Sequence, residues 1–135
     1  MPTGWPPALE LSCDVPQMFD GDQQAQRQSL GRVERPGTVN SVEFIPNWTL
    51  SGANTNYRTL AVYNRGTSGA GTALVASLDL TSGVDLTRGV PKALTLGAGA
   101  DRAVVVGDML EWISTTTGTG APAAGGRVIV QQTNG

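Results

Sequence analysis

Two stretches toward the C-terminal end, residues 107–115 and 125–132, constrain the fold most. Each opens on glycine, each continues through β-branched, aromatic and long apolar residues, and neither contains proline. That composition favours extended chain over helix. Side chains alternate across a strand, so Leu110 and Trp112 share one face while Met109, Glu111 and Ile113 share the other. In the second stretch Val128 and Val130 oppose Arg127 and Gln131 in the same way. The pair is expected to be the closing hairpin of a sheet, joined by the small-residue loop 116–125, with Glu111 facing Arg127 across it.

Upstream, residues 38–45 place Val42 and Phe44 against Ser41 and Glu43, and the run stops at Pro46. Residues 57–64 and 72–80 alternate around Leu60, Val62, Leu74, Ala76, Leu78 and Leu80, and are expected to be neighbours. The loop 47–56 between the first two runs is rich in Asn, Ser, Thr and Gly, with Trp48 and Leu50 expected to fold over one end of the sandwich. Short strands follow at 92–96 and 103–106, where Val104, Val105 and Val106 form an apolar run expected to be buried on both sides, in the sandwich or against another subunit. Eighteen glycines and eight prolines punctuate these segments, which leaves no room for long helices. The fold expected is all-β, an antiparallel β-sandwich of jelly-roll or Ig-like type over residues 37–135, preceded by an extended N-terminal arm, residues 1–36. In that arm Trp5, Leu9, Leu11, Val15, Met18 and Phe19 are more apolar than a solvated tail needs, and are read as contacts with a neighbouring protein; the rival reading makes the arm part of the sandwich, as an added edge strand or a cover over an apolar face. Residues 23–30 have fair helix formers, enough for two marginal turns. Val104, Val106, Met109 and Ile113 are the candidate subunit interface, since one sheet is read as apolar on both faces.

The chain has no histidine and a single cysteine, Cys13. His/Cys metal sites, Ser-His-Asp triads, Cys-His dyads and internal disulfides are therefore excluded within one chain. Glu43, Asp79, Asp85, Asp101, Asp108 and Glu111 fall in no catalytic or calcium-binding motif; Asp85, Asp101 and Asp108 stand where aspartate commonly bends the backbone. The glycine-rich loop 65–71 leads into a strand and lacks the Gly-Lys-Ser/Thr of a phosphate cradle. No catalytic residue, cofactor or metal ligand is expected, and the protein is read as not an enzyme. A net charge of −2 without a basic cluster gives no footprint for nucleic acid. No apolar run approaches the roughly 20 residues that span a bilayer, so no membrane partner is expected, and the start lacks a signal-peptide pattern.

Several short motifs in order, Pro36-Gly37-Thr38-Val39, Tyr57-Arg58-Thr59-Leu60, Asn64-Arg65-Gly66, Gly71-Thr72-Ala73-Leu74-Val75-Ala76-Ser77-Leu78, Gly107-Asp108-Met109-Leu110-Glu111-Trp112 and Gly118-Thr119-Gly120, are carried by the chain. Over about residues 36–132 it resembles small capsid-associated proteins of tailed bacteriophages, of the head-decoration kind. The resemblance implies a β-sandwich on the outer capsid surface, made in the host cytoplasm, clustered as a homotrimer and cementing adjacent subunits of the major capsid protein. It implies no catalytic residues. A different reading of the same sandwich is a virion adhesin or tail component that offers Trp48, Tyr57 and Tyr63 to a carbohydrate.

Overall fold

The computed structural model describes residues 8–15, 26–117 and 125–134. Ten strands run in chain order: β1 (Ala8–Val15), β2 (Gln26–Arg32), β3 (Gly37–Pro46), β4 (Tyr57–Asn64), β5 (Ala73–Asp79), β6 (Lys92–Ala93), β7 (Thr95–Leu96), β8 (Ala103–Val104), β9 (Met109–Thr117) and β10 (Gly126–Asn134), with a single helical turn, α1 (Gly99–Arg102), before β8. They form two antiparallel sheets. One is ordered β1-β10-β3, with β6 and β8 both on the far edge of β3; the other is β2-β9-β4-β5-β7.

The pairing is that of a long hairpin rolled up on itself. β4 and β5 form its tip, β3 pairs with β6 and β8, β2 with β9, and β1 with β10. Wound in this way, a hairpin becomes a jelly roll, the first of the two sandwich types the sequence leaves open. Its winding corrects the expected closing hairpin. β9 and β10 are consecutive yet belong to different sheets, so Glu111 never faces Arg127. Arg127 instead pairs with Asp14 on β1, at 3.1 Å.

The stretch read as an extended arm contributes an edge strand to each sheet. β1 pairs with β10 from Ala8 opposite Thr133 to Val15 opposite Gly126, and β2 pairs with β9 from Gln26 opposite Ser114. Strands thus lie on both sides of the boundary expected at residues 36 and 37. The reason lies in the sequence of β1, where Leu9, Leu11, Cys13 and Val15 alternate with Glu10, Ser12 and Asp14. Val15 belongs to the core, and Leu11 and Cys13 pack against it. β2 is harder to see, because Gln26 and Gln28 occupy the positions beside Ser114 and Trp112 that face inward. It replaces the helical turns expected there.

Each sheet turns its apolar side in. The core gathers Val39, Val42 and Phe44 from β3, Leu60 and Val62 from β4, Leu110 and Trp112 from β9, and Val128 and Val130 from β10. Phe44 and Trp112 meet across the sandwich with ring centroids 4.9 Å apart. The Trp112 Nε1–H donates to Gln26 Oε1 at 3.3 Å, which supplies the partner that a buried indole needs. Where the alternation breaks, a bulge accounts for it. The register slips between Val62 and Tyr63 and leaves Val75 extra in β5, so that Val75 and Ala76 are both wholly buried. Leu94 lies where the chain passes from β6 in one sheet to β7 in the other, and is buried between them.

The run at 104–106 departs from expectation. Val104 is buried in the core, but Val105 and Val106 are 55% and 60% exposed. They stand in a turn closed by Asp108 N–H to the Val105 carbonyl at 3.1 Å, which needs Gly107 at φ +92°. At the opposite end Leu50 pairs with Leu86 as expected of a residue folded over the sandwich, while Trp48 stays 48% exposed.

Trp112→Ala would remove the largest buried side chain and the inter-sheet stack at once. The expected loss is about 3–5 kcal/mol, read as a lower urea midpoint at unchanged slope. A chain that starts at Gly37 lacks an edge strand from each sheet, and circular dichroism is expected to show a cooperative melting transition for the full chain and none for the shortened one.

Candidate functional site

On the outer face of the β2-β9-β4-β5-β7 sheet the side chains not used by the core converge on β9. Ile113 stands opposite Arg27 of β2 and Ala61 of β4, and Glu111 stands opposite Ser29 and Tyr63. Although it points away from the core, Ile113 is only 5% exposed. It forms the floor of a groove of about 510 Å³ whose walls include Arg27, Thr59, Tyr63, Arg65 and Thr115. A second groove of about 530 Å³ lies alongside, over Met109, Ser29 and Gly69.

A three-residue ion-pair network separates the grooves. Glu111 Oε1 accepts from Arg65 Nε at 2.9 Å and from Arg27 Nη1 at 3.4 Å. Arg65 is the better fixed: its Nη1 also donates to the Gly71 carbonyl at 3.1 Å, and its guanidinium lies 4.7 Å from the centre of the Tyr63 ring. Its backbone is set by the glycine-rich loop, in which Gly66 N–H donates to Asn64 Oδ1 at 2.8 Å and Gly71 N–H to the Arg65 carbonyl at 2.8 Å. Asn64 in turn donates to Asp108 Oδ2 at 2.9 Å, which also accepts the Val105 N–H at 2.9 Å. Asp108 is thus a turn former, as its sequence context suggests, and it ties the 65–71 loop to the 105–108 turn.

Of the residues expected at a subunit interface, Met109 and Ile113 do share this outer face, with Met109 half-buried, while Val104 is in the core and Val106 is exposed at one end of the sandwich. Of those expected to contact a neighbour, Val15 and Leu11 serve the core and Leu9 stands opposite Gln132. Trp5, Met18 and Phe19 lie outside the described residues. Two of the aromatic side chains considered for sugar stacking, Tyr57 and Tyr63, do not converge. They are six residues, about 20 Å, apart on β4, and Arg65 already covers the Tyr63 ring.

Sequence reasoning missed Arg58, which shares the inward face of β4 with Leu60 and is 1% exposed. Its Nη1 donates to the Ser114 carbonyl at 3.1 Å and to Ser114 Oγ at 3.2 Å. The signal was present, since the period of two that places Leu60 and Val62 in the core places residue 58 there too. Among the described residues no group of three or more His, Cys, Asp or Glu side chains is placed to hold a metal ion. No helix among them is long and apolar enough to cross a membrane.

No protein-family model matches the chain, and no curated protein matches its sequence. Among solved structures, the chain is similar to the VP2 subviral particle of infectious bursal disease virus, with a TM-score of 0.51 and 11% identity over 95% of this chain. The structure of the Gx strain of the same virus aligns at a TM-score of 0.46 and 9% identity, again over 95% of this chain. The chain spans about a third of the length of both, 33% and 32%. At such identity the likeness speaks for the fold alone, a jelly roll.

Proposed function

We propose that the protein is a structural virion protein that decorates the outer surface of a tailed-phage capsid, as a trimer, and cements adjacent subunits of the major capsid protein. The observation that carries the reading is a jelly roll of virus-particle type in which Arg65, Glu111 and Asp108 serve its own turns and ion pairs. What is left is surface suited to contact: the apolar-floored face around Ile113 and Met109, and the exposed valines and tryptophan at the two ends. The motif series resembling head-decoration proteins favours the same class.

Cementing suits such a molecule. Each copy needs only modest affinity for the capsid, because a trimer that engages three sites at once multiplies it through effective concentration. Met109 and Ile113 are the proposed centre of the trimer contact. For the capsid contact the proposal rests on Trp5, Met18 and Phe19, which flank β1 in the sequence, since Leu11 and Val15 are spent in the core. An apolar side chain of that size contributes roughly 1.5–3 kcal/mol when it passes from water to a buried site.

Adding the purified protein to undecorated heads of its source phage and imaging them by cryo-electron microscopy tests the reading. The expected result is density at hundreds of regularly spaced capsid positions; density confined to the tail, or none on heads, overturns it. A chain lacking residues 1–7 should keep the melting temperature of the full chain and bind heads about tenfold or more weakly, the loss of one large apolar anchor.

A further inference from the structure

The two sheets end on the same side of the sandwich in β1 and β2, which lie against each other there. Each has a ladder partner on one side only among the described residues: β10 for β1 and β9 for β2. A strand edge without a ladder partner is a template for pairing with another chain, and among the described residues β1 and β2 offer such edges side by side. They also run in opposite directions. Val15, at the end of β1, sits beside Gly126, and Gly125 accepts from Asn47 N–H just after β3; Gln26, at the start of β2, sits beside Ser114 toward the same end of β9.

The charges on these edges are opposite and evenly spaced. Outward on β1 stand Glu10, Ser12 and Asp14; outward on β2 stand Arg27, Ser29 and Arg32. Glu10 and Asp14 are four residues apart. Arg27 and Arg32 are five apart in sequence, but the bulge between Ser29 and Gly31 absorbs one, so they stand opposite Ile113 and Met109, four positions apart on β9. An antiparallel pairing of one molecule's β1 with another's β2 therefore matches Asp14 with Arg27, Ser12 with Ser29, and Glu10 with Arg32 in a single register. The present partners of these charges are weak or exposed. Arg27 reaches Glu111 at 3.4 Å, Glu10 accepts from Gln131 at 3.4 Å, and the Asp14–Arg127 pair has side chains 78% and 52% exposed.

We infer that β1 and β2 form a two-fold contact with a second copy of this chain, in which β1 of each molecule pairs with β2 of the other. A two-fold axis parallel to the strands makes both pairings at once and keeps both antiparallel. Each sheet of one molecule then continues into the opposite sheet of its partner, and every charge pair occurs twice. The contact runs along the strand edges and adjoins the face proposed for the trimer at Arg27 and Ser29, which also line the grooves over Ile113 and Met109, and it does not depend on capsid attachment. Together with a three-fold cluster it would join neighbouring clusters into a net.

Sedimentation of the full chain and of two doubly substituted variants tests the contact: Glu10→Arg with Asp14→Arg, and Arg27→Glu with Arg32→Glu. All four positions are exposed, and both variants should melt as the unsubstituted chain does. Each alone should weaken self-association about tenfold or more, because like charges then face each other along both edges. An equimolar mixture of the two should restore it, since in a mixed pair a reversed β1 meets a reversed β2 and an unreversed β1 meets an unreversed β2, both of opposite sign. Variants that associate as the unsubstituted chain does, a mixture no stronger than either variant alone, or an unsubstituted chain without self-association would each overturn the two-fold contact.

Discussion

Phe44 and Trp112 stack between the sheets, and most of the architecture refers to that contact. Phe44 belongs to β3, which holds β10 on one edge and β6 and β8 on the other; Trp112 belongs to β9, which lies between β2 and β4. The two strands that organise their sheets are thereby locked face to face. Two large rings at the centre of a sandwich set the separation of its layers, and smaller residues such as Val39, Val62 and Val128 fill the space that remains. The indole also reaches sideways to Gln26, so the edge strand β2 is held by a side chain as well as by its ladder. A glutamine in that position costs little because its polar atom is satisfied where it is buried.

Much of this was legible from alternation alone. Val42, Phe44, Leu60, Val62, Leu110, Trp112, Val128 and Val130 all face the core as the period of two requires. Less legible was which strand sits beside which. In a jelly roll, consecutive strands mostly change sheets, so proximity in sequence argues for the wrong partner, as it did for 107–115 and 125–132. β1 was foreseen only as the rival reading of the arm, an added edge strand, because Cys13 is not counted among obvious core formers and the alternation is short. Bulges hid the rest. One extra residue in β5 puts Val75 on the face that simple alternation reserves for Leu74.

The same misplacement of partners affected the outer surface. Glu111 was expected beside Arg127, and the rolled topology gives it Arg65 and Arg27 instead, from 46 positions before it and from 84 before it. No local pattern encodes such a meeting. What the sequence did carry was the turn-forming role of Asp108, which stands where aspartate commonly bends the backbone. Asp108, Asn64 and Arg65 are committed to holding two loops together.

The register that joins Ala8 to Thr133 has a temporal side. A ribosome delivers residues in order, so β1 emerges first and waits until β10 has been made before it has a sheet to enter. At typical synthesis rates that interval is on the order of ten seconds, far longer than a hairpin needs to form. The inner strands can meanwhile assemble from the β4–β5 tip outward, each new strand finding its partner already present. During that wait the row of Leu11, Cys13 and Val15 faces the cell rather than a core. Closure of that sheet is therefore timed by translation as much as by the chain's own folding rate.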